Sequence, residues 1–212
     1  MMKFYDCATA PSPRLVRIFI AEKGLTDAIE TVEVNLGEQE QLGDPFRAIN
    51  PFCTVPVLES DTGERFVTTQ GCWRYLEETH PDPALLGRDS AERATIADWV
   101  WRAEQDGFLA VGEGLRNAAK RLANRALTGP HDHAQIPELA ARGRVRVGHF
   151  FELLDRTLAD REHLAGDAFS AADIMAFVAV EFAGWLKLTL PDDAANARRW
   201  FDAMQARPSS AL

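Results

Sequence analysis

Over residues 1–80 the apolar positions switch between a period of two and a period of three to four, the mark of alternating strands and helices. Lys3 to Cys7 reads as a short strand, ended by Ala8-Thr9-Ala10-Pro11 because proline has no N–H for a ladder. A helix follows, with Ser12 expected as its N-cap and Pro13 as its first residue. Leu15, Val16, Phe19 and Ile20 form its apolar stripe, and Gly24 its left-handed stop. Thr31 to Leu36 alternates Val32, Val34 and Leu36 with polar neighbours, as a half-buried strand does. Strand, helix and strand in that order predict a parallel pair joined by a right-handed crossover. After Gly43-Asp44-Pro45, the stretch from Thr54 to Glu59 is a strand with Pro56 near its start. Asp61-Thr62-Gly63-Glu64 is a turn, and Arg65 to Val67 returns as its hairpin partner. Thr68 and Thr69 then open a helix that carries Trp73, Tyr75 and Leu76 and stops before Pro81.

His80-Pro81-Asp82-Pro83 excludes a continuous helix, and from Asp89 onward strand patterns are absent. Asp89 or Ser90 caps a long helix bearing Ile96, Trp99 and Val100, with Gly107, Gly112 and Gly114 as expected bends. Pro137 starts another helix running through Phe150, Phe151, Leu154 and Leu158, and the polar stretch from Thr128 to Gln135 before it reads as a loop. Ser170-Ala171-Ala172-Asp173 is a capping box, and Asp192 to Ala206 a final helix. The expected organisation is an α/β domain over 1–80 (βαβ-ββα, a mixed four-stranded sheet), a linker over 81–88, and an all-α helical domain over 89–212.

Composition narrows the function. The three cysteines, Cys7, Cys53 and Cys72, form no C-x-x-C pair and no metal-ligand spacing, so disulfides and a bound metal are not expected. A formal charge of −9 argues against nucleic acid, whose binding draws on clustered Lys and Arg. The chain has no apolar run long enough for a membrane span, and the segment Met1 to Asp6 turns acidic before an export signal could form. A cytoplasmic protein with small-molecule or protein partners is the expectation.

Two features bear on ligand chemistry. At Val55-Pro56, a cis peptide bond would leave both backbone groups of Val55 turned outward, where a peptide-like ligand could pair as an extra strand; an ordinary trans proline on an edge strand is the alternative. At Thr68-Thr69, the start of a helix offers N–H groups and a dipole to a carboxylate; the threonines can equally serve as caps alone.

The ordered set Ala10-Pro11-Ser12-Pro13-Arg14-Leu15-Val16-Arg17-Ile18, Ala48-Ile49-Asn50-Pro51-Phe52-Cys53-Thr54-Val55-Pro56-Val57-Leu58, Thr68-Thr69 leading to Arg74-Tyr75-Leu76-Glu77-Glu78, and Ser170-Ala171-Ala172-Asp173 resembles the bacterial glutathione S-transferase family across nearly the whole chain. The resemblance implies a thioredoxin-like N-terminal domain and a helical C-terminal domain. It also implies a homodimer and glutathione as co-substrate, with no metal. In such relatives Pro56 is cis and the backbone of Val55 holds the cysteinyl part of glutathione. Thr54 joins the same site, Thr68 and Thr69 stand where the γ-glutamyl end is held, and Gln41 aligns with a position that in some relatives reaches the glycyl carboxylate, a solvated loop glutamine being the alternative. Two departures stand out. Many bacterial relatives carry Ser or Cys at the position of Ala10, and relatives usually have an acidic or amide residue, followed by Ser, at that of Thr68.

The reaction implied is attack by the glutathione thiolate on a small hydrophobic electrophile. Isomerisation or dehalogenation, or ligand binding without catalysis, are the alternatives. The Ser-Ser-Cys signature of maleylacetoacetate isomerase relatives is absent at Ala10-Pro11-Ser12. Ser12, at the start of the first helix, is the first candidate to activate the thiol, Thr9 the second and Tyr5 the third, with packing the competing role for Tyr5. Cys7 could instead form a mixed disulfide or be buried and inert. The second substrate is expected between the domains against Trp101, Gln105 and Phe108, with one of the two aromatic residues facing it. Asp173 is assigned to folding, and Trp73, Trp185 and Trp200 to the core or a subunit interface.

Overall fold

A computed structural model describes residues 1–212. The chain forms two compact units. The first comprises Met1–Pro83 with Thr128–His131 and Leu212; the second comprises Ala84–Leu127 and Asp132–Ala211.

The first unit is built on a four-stranded sheet of order β2-β1-β3-β4, with β1 Met2–Asp6, β2 Ile29–Glu33, β3 Val57–Glu59 and β4 Arg65–Phe66. β1 and β2 run parallel, pairing Tyr5 with Val32, while β3 lies antiparallel to both β1 and β4, pairing Tyr5 with Val57 and Leu58 with Phe66. Helix α1 (Pro11–Glu22) makes the crossover, the short α2 (Asp44–Arg47) precedes β3, and α3 (Thr69–Thr79) follows β4. This is the mixed βαβ-ββα sheet expected.

Several boundaries differ from the sequence reading. α1 begins at Pro11 rather than Pro13, with Ala10 at the N-cap and no side-chain cap. Ser12 is therefore not the cap but the second residue of the helix. Either proline fits the first turn, where no N–H is required, and the chain uses both. β2 starts at Ile29, yet the alternation identified the right face: Val34 is buried, and Val32 and Leu36 pack against the same cluster. β3 starts only at Val57, since Pro56 has no N–H to give. Thr68 lies outside α3 as its cap, its hydroxyl accepting the Gly71 N–H at 3.0 Å.

The first unit ends with a buried cation. Lys23 Nζ, with no side-chain exposure, binds the Glu77 carboxylate at 2.6 Å and donates to the carbonyls of His80 and Pro83 at 2.8 and 2.6 Å. The end of α1 is thereby tied to the chain leaving α3.

The second unit is all helical: α4 (Ser90–Arg102), α5 (Leu109–Arg116), α6 (Pro137–Thr157), α7 (Ala171–Ala183) and α8 (Ala195–Gln205). Asp89 caps α4, bonding the N–H groups of Ala91 and Glu92. The single long helix expected from residue 90 is interrupted by a π-helical turn, Ala103–Phe108. Its Gly107 abuts Phe150 so closely that a Cβ there would lie 2.6 Å from the ring. α8 starts at Ala195 rather than Asp192, where Asp155 reaches across from α6 to accept the N–H groups of Asn196 and Ala197. α7 is buried on nearly every side, and its capping box forms as read: Ser170 Oγ accepts the Ala172 N–H and Asp173 accepts the Ser170 N–H. Trp73 and Trp200 are core residues, whereas Trp185 is 48% exposed. No helix is long and apolar enough to cross a membrane.

Candidate active site

Three loops of the first unit meet on one apolar cluster. Tyr5, Cys7, Val34, Phe46, Val55 and Val57 form its buried centre, and Ala10, Leu36, Ile49 and Val67 pack against it. The β1–α1 turn, the loop before β3 and the β4–α3 connection each reach this cluster, through Ala10, Val55 and Val67. Tyr5 packs edge-on to Phe46, with ring centroids 6.3 Å apart, and is buried. Packing is its role.

The loop before β3 hangs on Asn50, which has no exposure. Its Nδ2 donates to the Thr54 carbonyl at 2.7 Å and to the Thr54 hydroxyl at 3.2 Å, and its Oδ1 accepts the Phe52 N–H at 3.0 Å. Cys53 takes a left-handed conformation, φ 55°, as the chain turns toward Val55. The Val55–Pro56 peptide bond is cis. The Val55 side chain is buried in the cluster, but its N–H and C=O make no hydrogen bond within the protein. A backbone donor and acceptor on one residue, both unused, are what an added strand requires.

The β1–α1 turn is closed by the Ala10 N–H on the Cys7 carbonyl at 2.9 Å. Thr9 is exposed on it, its hydroxyl 3.6 Å from the buried Cys7 sulfur. Ser12 follows in the first turn of α1, half-buried and not engaged as a cap. Gln41 lies in a short 3-10 turn, and its Oε1 is buried without a partner. Thr69 is buried at the first position of α3.

Sequence reasoning passed over the charged residues beside this turn. Asp6 Oδ2 pairs with Arg17 Nη1 at 2.8 Å, and Arg17 Nη2 donates to the Ala8 carbonyl at 3.2 Å. The Ala8 N–H is shared by the two oxygens of Glu33, at 3.1 and 3.3 Å. Asp6 is 3% exposed, and burial pushes its carboxyl above the ordinary aspartate range despite the opposing pull of Arg17. An arginine flanked by Val16 and Ile18 in an apolar helix was the available signal.

In the second unit Trp101 is 60% exposed on α4, and Gln105 and Phe108 sit on the π turn. Seven residues apart in an unbroken helix, Trp101 and Phe108 would share a face; a π turn inserts one residue and rotates the later part of the helix by about 100°. Phe108 instead packs on Phe182, 5.4 Å between centroids. Arg146 holds the turn, donating to the Gln105 carbonyl at 2.5 Å and to Glu113 at 2.9 Å.

Comparison with known proteins places this geometry. The family model for the glutathione S-transferase N-terminal domain matches residues 10–79, and that for the C-terminal domain matches residues 122–208. Glutathione S-transferase 2 of Saccharomyces cerevisiae is 32% identical over 209 residues, which cover 98% of this chain and 87% of the yeast protein. The chain belongs to the glutathione S-transferase family. A glutathione S-transferase domain-containing protein of Marinobacter aquaeolei superposes with a TM-score of 0.91 at 35% identity, over 98% of this chain and 99% of that one. A glutathione S-transferase of Methylobacterium radiotolerans, solved in complex with glutathione sulfonate, superposes at 0.79 and 25% identity, over 99% and 92% of the two chains. Ala10 and Thr68 are both helix N-caps. Ala10 offers no side-chain group, and the Thr68 oxygen already accepts one N–H.

Proposed function

We propose that this protein is a glutathione transferase that joins the glutathione sulfur to small hydrophobic electrophiles, acting in the cytoplasm as a homodimer in a detoxifying role. The observation that carries the reading is the pair of unused backbone groups on Val55, beside the turn that carries Thr9 and leads to Ser12. The cysteinyl N–H and C=O of glutathione pair with Val55 as a short added strand, with Thr54 and Pro56 framing it. The γ-glutamyl carboxylate lies at the N-terminus of α3, where Thr68 and Thr69 offer hydroxyl protons and the dipole favours an anion. Gln41 serves the glycyl end.

The thiol must ionise near neutral pH, a downward shift of about two units, worth roughly 2.7 kcal/mol. A hydroxyl hydrogen bond to an anion contributes about 1.5–3 kcal/mol, and a helix N-terminus up to about 2 kcal/mol. Ser12 in the first turn of α1 supplies both, with a hydroxyl proton to donate to the sulfur; Thr9 is the second candidate. The thiolate then attacks carbon, a C–S bond forms, and the leaving group departs with its electron pair. The thiol proton has by then passed to solvent. Of the second-substrate candidates Trp101, Gln105 and Phe108, the exposed Trp101 is the aromatic residue offered to the electrophile, Phe108 being packed on Phe182. Retention on immobilised glutathione followed by conjugation of 1-chloro-2,4-dinitrobenzene tests the proposal. Retention with turnover is expected, retention without turnover would leave a binding protein, and no retention would remove glutathione from the account.

A further inference from the structure

The β1–α1 turn has almost no side chain with which to anchor itself. Ala8 and Thr9 are exposed and Ala10 alone of the three packs against the apolar cluster, so the backbone must supply much of the turn's anchorage. Its internal bond, Ala10 N–H to Cys7 C=O, uses neither backbone group of Ala8. Each of those groups is taken by a charged side chain from a different element. Glu33, at the end of β2, accepts the N–H with both oxygens, and Arg17, on α1, donates to the carbonyl. Arg17 is in turn seated on Asp6, at the end of β1 and buried.

We propose that Glu33 and Arg17, the latter seated on Asp6, form a two-armed clamp on Ala8, and that all three are positioning residues for the group that activates the glutathione thiol. The proposal rests on the thiol activation set out above. Thr9 follows Ala8 directly and Ala10 caps the helix that carries Ser12, so a shift of Ala8 moves both candidate hydroxyls and the helix terminus together. Hydrogen bonds to an anion weaken steeply as their geometry degrades, and misplacement by about 1 Å costs on the order of a hundredfold in rate at an active site. Two elements of the sheet and one helix holding a single residue provide the rigidity that such placement demands.

The thiolate of bound glutathione, titrated by ultraviolet difference absorbance with S-methylglutathione as the blank, reads the clamp without turnover. Glu33 is exposed, so Glu33→Ala removes one arm with little risk to folding. Asp6→Asn with Arg17→Met removes the other arm without leaving a lone buried charge. Each is expected to raise the apparent thiol pKa by about one unit, a roughly tenfold loss of thiolate below that pKa. Glu33→Gln, which keeps an acceptor for the Ala8 N–H, is expected to restore most of it. A parent pKa in both clamp variants, alongside a raised value in Ser12→Ala or Thr9→Val, overturns the clamp alone. A parent pKa in Ser12→Ala and Thr9→Val with raised values in the clamp variants removes those hydroxyls and keeps the clamp. The absence of any thiolate band with the parent protein overturns both.

Discussion

Asp173 accepts the indole N–H of Trp200 at 3.0 Å, and neither residue has more than a trace of exposed surface. The same Asp173 oxygen accepts the Leu164 N–H at 3.0 Å, while the other accepts the backbone N–H of Ser170 at 3.1 Å and lies 3.3 Å from its hydroxyl. One carboxylate thus joins the start of α7, the loop before it and α8. Asp173→Ala leaves three buried donors without acceptors, at about 1–3 kcal/mol each. A loss of at least about 3 kcal/mol is expected in urea unfolding. Asp173→Asn, which keeps one acceptor oxygen, is expected to lose less.

Ser12→Ala tests the thiol-activating hydroxyl. One hydrogen bond to an anion, about 1.5–3 kcal/mol, translates into roughly a ten- to hundredfold fall in turnover with glutathione affinity little changed. Steady-state conjugation and calorimetric titration with glutathione separate the two quantities. Unchanged turnover would pass the role to Thr9.

Asp6 and Asp89 contribute to the pH dependence of stability with opposite signs. Burial raises the Asp6 carboxyl above 3.8, so the native state holds its proton where the unfolded chain has released it. Its contribution therefore falls as pH rises through that window and recovers on acidification. Asp89, held below 3.8 by the N–H groups of Glu92 and then Ala91, contributes above the ordinary aspartate value and loses that contribution as pH falls through its native value. Parent protein compared with Asp6→Asn in urea unfolding from neutral to mildly acid pH should gain relative stability on acidification, and parent compared with Asp89→Asn should lose it.

Burial pushes the Cys72 thiol up to about 12, and its sulfur donates to the Phe66 carbonyl at 3.3 Å. The thiolate is the reactive form, so iodoacetamide should leave Cys72 unmodified in the native protein near neutral pH. Peptide mapping checks this, and modification should appear only on unfolding.

The sheet and most helices were legible because their signals are local. A period of two located the inward face of β2 even where its ends were misjudged, and the Ser170–Asp173 box stopped and started the chain as written. Most of what escaped depends on partners distant in sequence, with one local exception. Ser12 lost its cap role because Pro11 and Pro13 are interchangeable in a first turn, and only the Cys7–Ala10 turn decides between them. The start of α8 is set by Asp155 on another helix. The π turn at Ala103–Phe108 follows from the fit of Gly107 against Phe150 and from Arg146, neither visible in a helical period. At the site, Asn50, Val55 and Pro56 could be named from the chain. The hold of Asp6, Arg17 and Glu33 on Ala8 could not, since it joins the ends of two strands and a helix through an alanine that carries no signal.

The most direct test of the account is a crystal structure of this protein soaked with glutathione. It should show the cysteinyl N–H and C=O within hydrogen-bond distance of the Val55 carbonyl and N–H, with the sulfur near the hydroxyl of Ser12 or Thr9. Glutathione bound elsewhere, or a Val55 backbone satisfied by the protein's own groups, would contradict it.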